Sequence, residues 1–202
     1  MKKARIAVLV SGGGTNLQAL INAQTKSIIT SGKIELVISS NSTAYALERA
    51  KKASIPTACA VKKECGSQEA FEQKIKDLLS EYKIDLIVLA GFMSILSENF
   101  TKDYPNRILN VHPSLIPSFC GKGFYGLKVH EKALEKGVKV TGATVHFVNE
   151  IPDGGEIILQ KAVNIRSDDT PETLQKRVMK LAEWKILPQA TELISKKIIT
   201  ER

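Results

Sequence analysis

Apolar residues are arranged along this chain in two alternating patterns. Short runs rich in Val, Ile and Leu predict strands, and segments with apolar residues at helical spacing predict the helices between them. The predicted strands cover residues 5–10, 33–39, 57–61, 84–90, 108–112, 138–149 and 157–163, and the predicted helices begin at Leu17 or cover residues 44–53, 68–82, 130–136 and 171–194. Such alternation is typical of an α/β fold. We expect a Rossmann-like, mostly parallel sheet with helices on both faces, formed by a single domain over residues 1–202.

Two polar side chains end the predicted strand over residues 108–112. Side chains two positions apart on a strand point to the same face, so Asn110 and His112 lie together. Pro113 cannot donate a hydrogen bond to a neighbouring strand, and the strand therefore ends at His112. Open α/β sheets build their sites at the carboxyl ends of their strands. Asn110 and His112 are our first candidates for a functional site, the alternative being a structural histidine held by hydrogen bonds.

A glycine-rich loop, residues 11–16, joins the first predicted strand to the first helix. Glycines let the backbone approach a ligand closely, and the unpaired N–H groups of a helix start bind anions, so the loop suits a phosphate. It is not a dinucleotide signature, because Leu17 replaces the third glycine and no acidic residue ends the second strand. It also lacks the lysine of a P-loop. A purely structural turn is the alternative.

Composition and charge narrow the class of protein only in part. Lysine and arginine outnumber aspartate and glutamate by 29 to 21, and the net charge of +8 attracts anions without choosing among phosphates, polycarboxylates and nucleic acid. No apolar run approaches the roughly 20 residues of a membrane span. The first residues lack a signal-peptide pattern, so we expect a cytoplasmic protein. The three cysteines form no Cys-x-x-Cys pair, which predicts reduced thiols and no zinc site.

Two irregular segments are expected beside the site. Large apolar residues at positions 92, 93 and 96 follow the predicted strand over residues 84–90, and they form either one wall of a pocket for a flat ring or ordinary core. Residues 118–126 contain three glycines, which predicts a loop near His112. The alternation along residues 138–149 places His146 on one face of a strand.

A histidine that donates a proton near neutral pH commonly needs a carboxylate that raises its pKa and holds its ring. Asp153 is our candidate, because the two glycines after it let its turn pack closely against another backbone, whereas Glu150 is expected at the surface. The Asn110 amide suits an oxygen that gains negative charge, so these groups favour acyl transfer through a tetrahedral intermediate. No Ser or Cys lies in a nucleophile elbow, which favours direct transfer between two bound substrates. We expect no metal, since the three histidines and Cys120 have no recognised ligand spacing.

Five segments of the chain resemble the phosphoribosylglycinamide formyltransferases, a branch of the folate-dependent formyltransferase family. The segments are residues 11–18, 89–96, 110–117, 144–148 and 153–155, and the most specific is Asn-x-His-Pro-Ser-Leu with Asp-Gly-Gly downstream. The resemblance implies an enzyme of de novo purine biosynthesis that transfers the formyl group of 10-formyltetrahydrofolate to phosphoribosylglycinamide. It also implies small-molecule substrates, neither nucleic acid nor a membrane as partner, and a monomer or homodimer.

The resemblance implies roles for individual residues as well. The substrate phosphate is expected on Gly14, Thr15 and Asn16, with the glycinamide end near Glu183. Asn110 is expected to contact the formyl oxygen of the folate, His112 to donate the proton, and Asp153 to hold and charge His112. The pterin ring is expected along Met93, Ser94, Ile95 and Leu96.

Two departures from the family pattern concern the folate end and the loop beside the site. Gln68 stands where the family commonly has a basic residue near the folate tail, and residues 121–126 make a longer loop than the shortest in the family. Methionyl-tRNA formyltransferase and formyltetrahydrofolate deformylase are alternatives that share the core but carry an additional domain, which we do not expect here. A non-catalytic anion- or RNA-binding module would explain the basic charge, but it assigns no function to Asn110, His112 and Asp153.

Overall fold

Seven strands form one mixed sheet in the computed structural model, which describes residues 2–202. The strands are β1 (Ala4–Val10), β2 (Gly32–Ser39), β3 (Thr57–Cys59), β4 (Leu86–Leu89), β5 (Ile108–His112), β6 (Val140–Phe147) and β7 (Ile157–Asn164). Their order across the sheet is β3-β2-β1-β4-β5-β6-β7. Strands β1 to β5 are parallel, and β6 and β7 extend the sheet in antiparallel pairing.

Helices cover both faces of this sheet, so the predicted fold class is confirmed. They are α1 (Thr15–Thr25), α2 (Tyr45–Lys52), α3 (Lys62–Cys65), α4 (Gln68–Glu81), α5 (Glu98–Asp103), α6 (Leu127–Lys136), α7 (Pro171–Val178) and α8 (Trp184–Thr200). Leu17 of α1 and Leu187 of α8 belong to the core on one face, and Phe71 of α4 and Phe100 of α5 belong to the core on the other. Within residues 2–202, no helix combines the length and apolarity that a membrane crossing needs.

Several elements differ from the predicted ones, and the short helices α3 and α5 have no predicted counterpart. The helix predicted over residues 171–194 consists of α7, a π turn (Met179–Glu183) and α8, which continues to Thr200. Pro188 lies inside α8 and has no N–H to donate to the preceding turn, so regular helical hydrogen bonding is interrupted there. Helix α6 begins at Leu127 instead of His130, directly after Gly126 with its positive φ of 56°.

Parallel pairing brings several of the predicted site segments to one edge of the sheet. The chain leaves β1, β4 and β5 at their carboxyl ends, where it enters the glycine-rich loop, the apolar segment after β4, and the residues after His112. Because β6 is antiparallel to β5, it places His146 opposite Asn110 and Thr144 opposite His112.

Candidate active site

Strand β5 ends at His112, as predicted, and presents two polar side chains there. Asn110 is half-buried, whereas His112 is only 4% exposed. Val111 between them belongs to the apolar core on one face of the sheet, so Asn110 and His112 point away from it. The strand therefore supplies a partly exposed amide and a buried imidazole side by side.

Both ring nitrogens of His112 face oxygen acceptors. Nε2 lies 2.8 Å from the carbonyl oxygen of Phe119, and Nδ1 lies 3.3 Å from the Oδ2 atom of Asp153. Burial lowers the pKa of His112 below its usual value, while Asp153 and the Phe119 carbonyl act to raise it. The prediction that Asp153 lies against His112 is confirmed, but the expected net rise of the histidine pKa is wrong, because burial of the ring outweighs the carboxylate.

Asp153 is held in place by groups on three other segments. Its Oδ2 atom accepts a hydrogen bond of 2.8 Å from the backbone N–H of Gly121. Burial raises the pKa of the Asp153 carboxyl, but the neighbouring His146 ring, the charge of His112 and the Gly121 N–H together hold it below its usual value. The predicted close packing of this turn is also present, since a side chain at Gly155 would lie 1.8 Å from the carbonyl oxygen of Phe147.

His146 is a further member of the site, to which sequence reasoning assigned only a place on a strand. Its Nδ1 atom donates to its neighbour's carbonyl, that of Phe147, at 2.7 Å. Its Nε2 atom lies 3.3 Å from the amide nitrogen of Asn110 and 3.5 Å from the Oδ1 atom of Asp153. His146 thus joins Asn110 to Asp153. Its alternating position in the strand was a usable signal, but the antiparallel pairing that sets it opposite Asn110 was not visible in the sequence.

The loop over residues 118–126 covers the carboxylate–histidine pair. The Phe119 carbonyl accepts from His112, and the Gly121 N–H donates to Asp153. Phe119 and Gly121 both have positive φ angles, 50° and 84°, which turn these backbone groups toward the pair. The loop lies beside the site, as predicted, and it supplies backbone contacts to two of the candidate residues.

No side chain of this centre is arranged as a nucleophile. The hydroxyl of Ser114 donates to the carbonyl of Ser118, and the thiol of Cys120 lies 3.2 Å from the carbonyl of Pro117. Burial raises the pKa of the Cys120 thiol, and the charge of Asp153 adds to this rise. An amide donor, an imidazole and a carboxylate can polarise a carbonyl and move protons, so the arrangement suits attack by one bound substrate on another.

The three glycines of the loop after β1 have different surroundings. Gly14 has a φ of 71°, and a side chain there would lie 2.6 Å from the Cβ atom of Ala46. A side chain at Gly12 or Gly13 would meet no atom within 4 Å. Gly14 therefore meets a structural need at the start of α1, while Gly12 and Gly13 leave open backbone surface beside the free N–H groups of that helix.

Asn16 and Glu183, which were both predicted to bind substrate, are in direct contact. The amide nitrogen of Asn16 donates to the Oε2 atom of Glu183 at 2.8 Å. Glu183 is only 6% exposed at the end of the π turn, and burial raises its pKa to about 7, with the Asn16 bond acting to lower it. The Oδ1 atom of Asn16 is buried and has no hydrogen-bond partner among the described residues.

The segment after β4 combines core and surface positions. The sequence left open whether Leu96 is part of a pocket wall or of the core, and in the structure it belongs to the core. Phe92 stacks on Phe71 with ring centroids 6.4 Å apart. Met93 and Ile95 are 59% and 77% exposed, so they offer an apolar surface. Ser94 lies between them, partly exposed.

This segment is fastened to the rest of the molecule at both ends. The N–H of Met93 donates to the Ser11 hydroxyl at 2.8 Å, which joins the segment to the glycine-rich loop. The Gln68 amide donates to the Ile95 carbonyl at 3.1 Å and to the buried carboxylate of Glu72. Glu72 also accepts from the backbone N–H and the hydroxyl of Ser97. Gln68, which departs from the family pattern, therefore helps to position this segment.

The remaining histidine, His130 on α6, lies outside this network. It is fully buried, and neither ring nitrogen has a hydrogen-bond partner among the described residues. Burial lowers the pKa of His130 to about 4, and the charge of His112 acts in the same direction. Among residues 2–202, no group of three or more His, Cys, Asp and Glu side chains is arranged to hold a metal ion.

Comparison with known proteins gives consistent matches over nearly the whole chain. The model of the formyl transferase family matches residues 4–191. A phosphoribosylglycinamide formyltransferase from Haemophilus influenzae is 44% identical over 93% of this chain and 84% of its own length. The human trifunctional purine biosynthetic protein adenosine-3 is 48% identical over 96% of this chain, which spans only 18% of that longer protein.

Solved structures agree with these sequence matches. The glycinamide ribonucleotide transformylase 1 from Symbiobacterium toebii has a TM-score of 0.89 at 41% identity, over 96% of this chain and 89% of the other. The phosphoribosylglycinamide formyltransferase from Coxiella burnetii, solved in complex with CHES, has a TM-score of 0.89 at 40% identity, over 97% and 89% of the two chains.

Proposed function

Because the chain belongs to the formyl transferase family, we propose that it transfers the formyl group of 10-formyltetrahydrofolate to the amine of phosphoribosylglycinamide, a step of purine biosynthesis. The observation that supports this most strongly is the contact of His112 with Asp153, joined through His146 to Asn110. We propose a single formyltransferase domain over residues 1–202, acting in the cytoplasm as a monomer or homodimer. Its partners are the two small-molecule substrates, and neither nucleic acid nor a membrane takes part.

The amine of the ribonucleotide attacks the formyl carbon directly. The new C–N bond turns the carbonyl into a tetrahedral centre, and the Asn110 amide donates to the oxygen as it gains negative charge. The attacking nitrogen then loses a proton, and the leaving nitrogen of the folate must gain one before its bond to carbon breaks. One proton shuttle meets both needs.

His112 is that shuttle. Burial lowers its pKa, which favours the neutral ring, and its Nε2 atom can accept the proton from the attacking nitrogen once it leaves the carbonyl of Phe119. Asp153 stabilises the imidazolium that forms and holds the ring in place. The charged ring then donates its proton to the leaving nitrogen of the folate, which yields tetrahydrofolate.

The two substrates meet at this centre from neighbouring surfaces. The ribonucleotide phosphate binds on Gly14, Thr15 and Asn16, with the open backbone of the two preceding glycines beside it, and the glycinamide end lies near Glu183. The pterin of the folate lies along Met93, Ser94, Ile95 and Leu96, where exposed apolar side chains offer a wall for a flat ring, and its formyl oxygen faces Asn110.

A single assay tests this function against its nearest alternatives. Purified protein is incubated with 10-formyltetrahydrofolate and with phosphoribosylglycinamide, methionyl-tRNA or no acceptor, and folate conversion is followed by absorbance. We expect rapid conversion only with the ribonucleotide. Equal rates with and without the ribonucleotide would identify a deformylase, and conversion with the tRNA alone would identify a methionyl-tRNA formyltransferase.

A further inference from the structure

A groove of about 440 Å³ runs between α1 and the first turns of α8, outside the centre described above. Its lining includes Trp184, Lys185 and Lys26, together with the Gln18 and Asn22 amides and the Arg49 guanidinium. Of the residues given a role in formyl transfer, only Thr15 reaches its rim. The groove lies within the range of roughly 300–1,000 Å³ that is typical of small-molecule sites.

The charges that line this groove are all of one sign. Lys26, Arg49 and Lys185 are its ionisable residues, and no acidic side chain is among the described residues that line it. Within residues 2–202, Lys26 and Lys185 take part in no ion pair. Two free ammonium groups at a concave surface attract an anion.

Trp184 adds a flat apolar surface to these charges. It is the single tryptophan of the chain and is 37% exposed at the start of α8. A buried tryptophan would be core, but an exposed indole beside ammonium groups offers a face on which a planar heterocycle can stack. The floor next to it is apolar, formed by Ala23 and Pro188, both buried.

Amide groups at the groove are held by a hydrogen-bonded chain. Arg49 donates to the Gly13 carbonyl at 2.8 Å and to the Gln18 side chain at 3.1 Å, and Gln18 donates to the Oδ1 atom of Asn22 at 3.0 Å. The amide nitrogen of Asn22 has no partner among the described residues, so it remains available to the edge of a ring. Its orientation is set in advance, which lowers the entropy cost of binding.

We propose that this groove binds a nucleoside monophosphate, with the base on Trp184, the phosphate on Lys26 and Lys185, and the base edge on the Asn22 amide. The phosphoribosylglycinamide of the proposed reaction has no planar heterocycle for Trp184. Apart from Thr15 at its rim, the groove shares no residue with the proposed substrate phosphate site, so the proposal does not depend on the proposed function.

Trp184 reports on the site directly, because no other tryptophan contributes to the fluorescence. The full chain is titrated with adenosine 5′-monophosphate, with excitation beyond the absorption of the base, and binding is measured in parallel by calorimetry. We expect saturable quenching of Trp184, weaker binding at higher salt, and much weaker binding of adenosine and of ribose 5-phosphate, which lack the phosphate and the base respectively. Quenching that does not saturate, or equal binding of adenosine, would overturn the proposal.

Two sets of variants locate the bound nucleotide. Lys26→Ala with Lys185→Ala should weaken adenosine monophosphate binding by about fivefold or more, since two exposed charge contacts are lost. Lys196→Ala removes an exposed lysine of the same helix outside the groove and should change nothing. Gly12→Val places a side chain over the substrate phosphate loop without involving the carbonyl that holds Arg49, and it should leave the quenching intact. Loss of quenching in Gly12→Val, or unchanged affinity in the double lysine variant, would place the nucleotide elsewhere and contradict the proposal.

Discussion

His112 and Glu183 are two buried ionisable groups in different parts of the molecule, and burial drives both toward their neutral forms. Burial lowers the pKa of His112 and raises the pKa of Glu183 to about 7. The difference lies in their partners, because His112 faces the carboxylate of Asp153 and Glu183 faces only the amide of Asn16. His112 can therefore become charged during a reaction at limited cost, whereas Glu183 has no opposite charge to balance it.

The largest effect is expected when the partner of His112 loses its charge. Asp153→Asn should lower kcat by about 100-fold or more, because general acid–base catalysis contributes on this scale and the imidazolium would lose its counter-ion. The pKa of His112, followed by NMR, should fall further. Glu150→Gln removes an exposed carboxylate of the same turn and serves as the control. Full activity with an unchanged histidine titration in Asp153→Asn would show that Asp153 has no such role.

Asn110→Ala is expected to come next. Loss of an oxyanion donor lowers kcat by about 100-fold or more, with little change in the affinity for the ribonucleotide. Steady-state kinetics with calorimetry of ribonucleotide binding separates the two quantities. Asn110 also contacts His146, so loss of that contact needs its own control. His146→Gln keeps a polar group at that position and leaves the Asn110 amide in place, so it should retain more activity than Asn110→Ala. An unchanged kcat in Asn110→Ala would exclude the oxyanion role.

The substrate phosphate loop is better tested at Gly13 than at Gly14. Gly13→Val should raise the KM for the ribonucleotide by about tenfold or more while folate binding is retained, because its side chain enters open space over the loop that binds the anion. Gly14→Val would instead meet Ala46 in a left-handed backbone conformation and should lower the melting temperature. If Gly13→Val kept the wild-type KM with an unchanged melting temperature, the loop would be a structural turn.

The effect expected at Glu183 appears in stability. Its pKa rises from 4.5 to about 7 on folding, so the folded state holds this proton more tightly. Its contribution to the free energy of unfolding is therefore highest below pH 4.5 and is lost as the pH rises toward 7. Glu183→Gln should be more stable than the wild type by roughly 3 kcal/mol at pH 8 and nearly equal to it at pH 4. Urea unfolding at both pH values measures this, with exposed Glu201→Gln as control, and a pH-independent difference would contradict it.

The sequence predicted the region around His112 more completely than the region around Glu183. Pro113 ends β5, and the two glycines after Asp153 permit a close turn. Both features depend only on adjacent residues, so they could be predicted from the sequence. The π turn before Trp184 and the contact of Asn16 with Glu183 join residues far apart in the chain, and no local pattern encodes them.

Burial depth was the other quantity that the sequence could not supply. The direction in which Asp153 acts on His112 follows from charge alone, but the net shift depends on how deeply the ring lies. In the same way, the helical and strand patterns could not decide that Leu96 is core while Ile95, its neighbour, is exposed. The fold class was predictable because alternation of elements is a property of the whole chain.

The central claim is direct transfer of the formyl group at the centre formed by Asn110, His112 and Asp153. Its most direct test follows a ¹³C label in the formyl group of 10-formyltetrahydrofolate by NMR, in the presence of phosphoribosylglycinamide and the wild-type protein. We expect the label to appear in the new formamide of the ribonucleotide, in step with tetrahydrofolate, and to be greatly slowed in Asn110→Ala and Asp153→Asn. Label released as free formate, or found on the protein, would contradict the account.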